Sequence, residues 1–322
     1  MKLNLLMIIF RQNFAKNIKI KHSRMKVLPN FLIVGASKSG TSSLYHYLRQ
    51  HPEIFLSNIQ KEGRYFSQMT GNFDGPGDKH IDSSITRNLE DYVALFDGYA
   101  GEKAVGDISP EYLYFFEKSI PLIKQTLNEN VKIIIILRSP VDRAFSGYNH
   151  YKRDKREYLT FEEALEKEDE RRLKNWIWAW QYKNSGLYFQ QVKTFIESFK
   201  NVKVLLFEDF NDSPKKVLKE ICEFIEVATD FEFDTSYKYN VSGDPKNAVL
   251  YKLETSRGLV NFVKKLVPKK IVTKIKNSWS GEKQMVKTAM NPETRKQLIE
   301  FFREDILKLQ ELLKKDLSRW LV

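Results

Sequence analysis

At 322 residues the chain can bury one large core or at most two modest ones, and its 42% hydrophobic, 29% charged composition is that of a soluble globular protein. A formal charge of +12 calls for an anionic partner, but nucleic acid, an anionic lipid surface, a polyanionic sugar and a phosphorylated cofactor satisfy it equally. The single cysteine, Cys222, excludes an intrachain disulfide and a cysteine-based metal site, and no histidine pair stands at ligand spacing, so no metal is expected.

In chain order, Leu3 to Phe10 is apolar but far shorter than the roughly 20 residues a membrane span needs. No small-residue cleavage site follows it. The basic stretch Arg11 to Lys26 completes an N-terminal extension, residues 1–28, expected to be poorly ordered; weak attachment to a membrane surface is its alternative use. With one cysteine, the chain suits a cytoplasmic location, membrane-peripheral at most. Asn30 to Gly35 (NFLIVG) then reads as a strand buried on both faces. A helix over Thr41 to His51 and a short strand at Ile54 to Leu56 follow, and Gly71 to Asp78 is a surface loop.

Two further strands are Lys103 to Asp107 and Val131 to Arg138; the second is the most apolar run, expected to lie centrally in a sheet. Val202 to Phe207 is another. Amphipathic helices are expected near Lys118 to Leu127, Val141 to Lys152, Tyr188 to Phe199 and Pro214 to Ile225, the last burying Cys222. Pro292 to Leu321 has helical spacing, with Asn291 as cap and Pro292 at the first position. Strands alternating with helices predict an α/β fold, a doubly wound parallel sheet flanked by helices, as a single domain over residues 29–322.

The loop after the first strand reads Gly35-Ala36-Ser37-Lys38-Ser39-Gly40-Thr41-Ser42. A strand, a glycine turn and a helix N-terminus form an anion site, because unpaired backbone N–H groups and the helix dipole face the ligand. The loop is nearly a Walker A, P-loop-like sequence, but its lysine precedes the second glycine by two residues instead of following it. Arg138 ends a parallel strand, where α/β sheets place their ligands. Pro140 starts the next helix, with Ser146 two turns in. Asp142 and Arg143 read as capping and solvating that helix start. Trp176, Trp178 and Trp180 read mainly as core, and the lysines Lys264 to Lys276 as a solvated basic face.

FLIVGASKSGTSSLYHYLRQHP (31–52) resembles the 5′-phosphosulfate loop of the sulfotransferases that use 3′-phosphoadenosine 5′-phosphosulfate (PAPS). It is closest to the branch containing the heparan sulfate sulfotransferases and their bacterial relatives. Lys61-Glu62-Gly63-Arg64-Tyr65-Phe66 resembles that branch's KEPHFF-type segment, whose glutamate is the catalytic base. Gly63 and Arg64 depart from the pattern, which bears on acceptor contacts more than on the base. Leu137 to Ser146 is similar to the 3′-phosphate segment. Gly106 to Leu113 resembles a segment near the acceptor cleft, and Asn240 to Lys246 a late loop closing over the 3′-phosphate.

The resemblance implies metal-free transfer of a sulfuryl group to an acceptor hydroxyl, expected to belong to a carbohydrate or glycoconjugate, with no nucleic-acid partner. It casts Lys38 and Glu62 as catalytic residues. Lys38, Ser39, Gly40, Thr41 and Ser42 would hold the 5′ end of the donor, and Arg138, Ser146, Ser242, Gly243 and Lys246 its 3′-phosphate. Two other readings stay open on the residues alone. A P-loop small-molecule kinase would need a metal-binding carboxylate, which Asp107 could supply; a non-catalytic polyanion-binding protein would use the basic charge only.

Overall fold

A computed structural model describes residues 27–237, 244–245, 285–286 and 289–322. Its sheet contains β1 (Phe31–Gly35), β2 (Ile54–Leu56), β3 (Ala104–Ile108), β4 (Lys132–Leu137) and β5 (Asn201–Leu206) in the order β2-β3-β1-β4-β5. All four pairings are parallel. β4, KIIIIL, is β-branched and buried along nearly its whole length, as a strand covered on both faces must be. It is interior as expected, but the central strand is β1, because the chain crosses from β3 to β4 over β1. That crossing makes the carboxyl end of β1 the topological switch point, the place where such sheets bind ligands.

The main helices are α1 (Thr41–Leu48), α2 (Glu111–Tyr114), α3 (Phe116–Leu127), α4 (Pro140–Arg153), α5 (Tyr188–Ser198), α6 (Pro214–Ile225) and α7 (Pro292–Leu313). They cover both faces of the sheet. Alternate strand residues Leu32, Val105, Ile133 and Ile135 face α3, α4, α5 and α7, while Phe31, Ile33, Ile134 and Ile136 face α1 and α6. α6 buries Val217, Leu218, Ile221, Cys222 and Ile225 on one stripe, so Cys222 is a core residue as expected.

Helix starts follow their caps. The Ser139 hydroxyl accepts from the Asp142 N–H ahead of Pro140, and the Asn291 side chain accepts from the Glu293 N–H ahead of Pro292. α7 ends at Leu313, short of the expected Leu321. Lys314 turns left-handed at φ 51°, which folds Leu317 and Trp320 back into the core. Trp178 and Trp180 are buried as expected, Trp180 stacking on Tyr151 at 4.0 Å and donating to Asp78. Asp244–Pro245 and Met285–Val286 form a short antiparallel pair. Ser242, Gly243, Lys246, the lysines of 264–276 and the basic stretch of 11–26 lie outside the described residues. Among the described residues, no helix is long and apolar enough to cross a membrane.

Candidate active site

The turn between β1 and α1 is shaped by its backbone. Gly40 sits at φ 91°, a conformation that favours glycine, and immediately precedes the helix. The first turn of α1, whose N–H groups precede the regular hydrogen-bonding of the helix, opens at the switch point, and Thr41, Ser42 and Ser43 line the space in front of it. Lys38, left-handed at φ 67°, faces the same space. Burial, then the cations Arg153, Arg138 and Lys61, lower its ammonium to about 7. Ser39 takes no part in lining that space: its hydroxyl is buried and its N–H closes the turn onto the Ala36 carbonyl at 3.3 Å.

Arg138 leaves β4 across the turn. Its Nη1 donates to the Lys38 carbonyl at 3.3 Å and its guanidinium lies 4.8 Å over the Phe207 ring. Ser146, two turns into α4, reaches the same cavity. Here a strand end and the following helix deliver a planar cation and a hydroxyl together, an arrangement suited to a phosphate.

The second half of the site is the segment after β2, and it is pinned to the end of β3. The Gly63 N–H donates to Asp107 Oδ1 at 3.3 Å, and the Arg64 N–H to Ser109 Oγ at 3.1 Å. Ser109 Oγ itself donates to Asp107 Oδ1 at 2.7 Å, and the Tyr92 and Tyr112 hydroxyls donate to Oδ2 at 2.9 and 2.7 Å. A side chain at Gly63 would meet the Tyr92 ring at 2.8 Å, and a proline there would lose the N–H that Asp107 accepts. The departure from the family pattern at this position therefore has a local cause. Asp107→Ala would leave four buried donors without their acceptor and free the Glu62 segment. A denaturant titration should show a loss of about 2–4 kcal/mol.

Held this way, Glu62 receives Lys61 Nζ on Oε1 at 3.1 Å and Arg64 Nη2 on Oε2. Lys61 Nζ also donates to Ser42 Oγ at 2.9 Å, which ties the two halves together. Burial opposes the charge on Glu62, but the Arg64 and Lys61 cations and their hydrogen bonds outweigh it and hold the carboxyl below the usual glutamate range. The two halves face each other across one cavity of about 940 Å³, lined by Lys38, Gly40, Thr41, Ser42, Glu62, Arg138 and Ser146.

A family model described as a sulfotransferase domain matches residues 28–314. The chain belongs to the sulfotransferase family. A sulfotransferase structure from Alicyclobacillus acidocaldarius is 35% identical, covers 91% of this chain and 99% of its own, and superposes with a TM-score of 0.72. A membrane-associated sulfotransferase of Dictyostelium discoideum is 32% identical over 129 residues, 39% of this chain and 24% of that one. The bifunctional heparan sulfate N-deacetylase/N-sulfotransferase 4 of Mus musculus is 30% identical over 141 residues, 42% and 14%. The aligned stretches thus span under a third of these two curated relatives.

Other cavity residues of this sulfotransferase were not legible one by one. Arg143, expected to solvate the start of α4, is 4% exposed, lines the cavity and donates to the Tyr182 carbonyl. Asp142 stands in the first turn and pairs with Arg295 at 2.6 Å, while Ser139 supplies the cap. Further along α4, the His150 imidazole is pushed down to about 2 by burial and by Lys38, Arg153 and Arg156, so it is neutral. Arg143, Gly147, His150 and Asp154 fall three or four residues apart around Ser146, and that spacing was the one signal for this helix face. Glu111 of α2 also borders the cavity, and nothing local marked it out.

Proposed function

We propose that this sulfotransferase transfers the sulfuryl group of PAPS to an acceptor hydroxyl on a carbohydrate or glycoconjugate. The observation that carries the reading is the single cavity shared by Lys38, the α1 N-terminus, Arg138, Ser146 and Glu62. In this reading the N–H groups of Gly40, Thr41 and Ser42 and the Thr41 and Ser42 hydroxyls hold the 5′-phosphate. Ser39 contributes the turn. Arg138 and Ser146 hold the 3′-phosphate, joined by Ser242, Gly243 and Lys246. Glu62 takes the acceptor proton as the new oxygen–sulfur bond forms, and the bond from sulfur to the bridging phosphate oxygen breaks. Lys38 neutralises the charge gathering on that oxygen. Lys38 and the helix N-terminus supply the positive charge, so transfer needs no metal.

A kinase would place a metal on a carboxylate at a strand end. Asp107, the candidate for that role, spends both oxygens on four donors of its own fold. A simple polyanion binder has no use for a carboxylate held between two cations at the cavity wall. Radiolabelled PAPS with candidate glycan acceptors, with and without chelator, tests the reading directly. Labelled product that persists with chelator supports it, and none with any acceptor overturns it. In this reading the enzyme is cytoplasmic, with residues 1–28 a basic extension in reach of an anionic membrane surface.

Donor recognition gives a second test. Losing a charge-assisted hydrogen bond costs about 1.5–3 kcal/mol, so Arg138→Ala should weaken PAPS binding by about tenfold or more. Binding of adenosine 5′-phosphosulfate, which has no 3′-phosphate, should barely change. Calorimetry on both nucleotides reads the difference, and equal affinities of the wild type for the two would sink the assignment.

A further inference from the structure

Arg64 stands between two carboxylates. Its Nη2 donates to Glu62 Oε2, and its Nε lies 3.9 Å from Glu111 Oε1. That Nε and that Oε1 are both buried, and neither has a hydrogen-bond partner. Glu111 is 1% exposed at the first position of α2, against the cavity wall. A buried carboxylate oxygen left without a donor costs the fold stability. The Arg64 backbone is fixed through Ser109 and its neighbour Gly63 through Asp107, so only the side chain is free to choose between the two acids.

We infer that Glu111 is a positioning residue for sulfuryl transfer: by competing with Glu62 for the Arg64 guanidinium, it sets how readily Glu62 takes the acceptor proton. The inference rests on Glu62 acting as base. The charged and titratable groups facing this array are Lys61 beside Glu62, Asp107 at the end of β3, Tyr112 on α2 and Tyr151 on α4. Burial pushes the Glu111 carboxyl up to about 7, against the pull of Arg64 and with the help of the Glu62 and Asp107 charges.

Below that pH Glu111 is neutral, Arg64 serves Glu62 alone, and Glu62 is a weak base. As pH rises through it, Glu111 ionises, draws the guanidinium away and repels the charge on Glu62. Both effects raise the proton affinity of Glu62, so turnover rises.

The test is the pH profile of kcat between about pH 5.5 and 9 with donor and acceptor saturating, which keeps Lys38 charged by bound donor. Wild type should rise about three- to tenfold, with a midpoint near 7. Glu111→Gln should stay at the low-pH rate throughout with donor affinity unchanged, and Glu111→Asp should recover the rise. A wild-type profile without that inflection overturns the inference, as does a Glu111→Gln profile like wild type or a parallel loss of kcat and donor affinity. If Glu111→Gln does not fold, the wild-type and Glu111→Asp profiles decide. Turnover retained by Glu62→Gln would instead remove the base itself. An inactive Glu62→Gln with a flat wild-type profile removes only the role of Glu111.

Discussion

Lys38→Ala is expected to lower kcat by about 10²–10³-fold, the usual cost of removing one fixed donor at a developing anion, while the protein stays folded. The ammonium is partly buried beside Arg153, Arg138 and Lys61 and is depressed to about 7. In the unfolded chain it titrates near 10.5, so below that pH the folded state holds this proton less readily than the unfolded one. Removing the group therefore leaves the thermal midpoint unchanged or higher.

The same depression predicts proton uptake. An anionic donor raises the Lys38 pKa, so above about pH 7 binding must take up a proton, and affinity falls as pH climbs from there toward the bound-state pKa. Calorimetry at alkaline pH in two buffers of different ionisation enthalpy measures the uptake, which should vanish in Lys38→Ala. A variant that keeps most of its kcat would make Lys38 a bystander.

Glu62→Gln should leave donor affinity near that of wild type and reduce kcat by about 10²–10⁴-fold, because the amide keeps the shape and cannot accept the proton. Arg64 and Lys61 hold the Glu62 carboxyl below the usual glutamate range. It is therefore ionised at neutral pH, and the loss of rate from its protonation should appear only at pH values below that range. Binding of the desulfated nucleotide, measured alongside the rate, separates the roles. If affinity and rate fall together, Glu62 organises the cavity instead of accepting the proton.

Much of the cavity wall formed by β1, α1, β4 and α4 was legible because its parts are close in sequence. Lys38, Gly40, Thr41 and Ser42 lie in one strand–turn–helix unit, and Arg138 and Ser146 in another. In such units the strand end and the helix start fix each other's geometry, whatever the rest of the chain does. Apolar runs such as that of β4 and caps such as Asn291 are likewise local signals: β4 is present to within a residue at each end, and α7 starts where its cap predicts but stops at Leu313, short of the expected Leu321.

The rest depended on which elements meet. Nothing near Glu111 in the sequence says that Arg64 stands beside it; the parallel pairing of β2 with β3 brings their carboxyl ends, and the segments after them, together. The unusual Gly63 acquired a reason only once Asp107 and Tyr92 were seen against it. Arg143 read as a surface charge because its spacing is helical and its chemistry is polar, but whether a charge is buried is decided by the far-off residues packed over it. Sequence alone determined the strand–helix order and the glycine turn between β1 and α1, since local backbone geometry suffices for them. The tertiary structure decided how Glu62, Arg64 and Glu111 share charge, because proton affinity depends on burial and on neighbours that chain order does not specify.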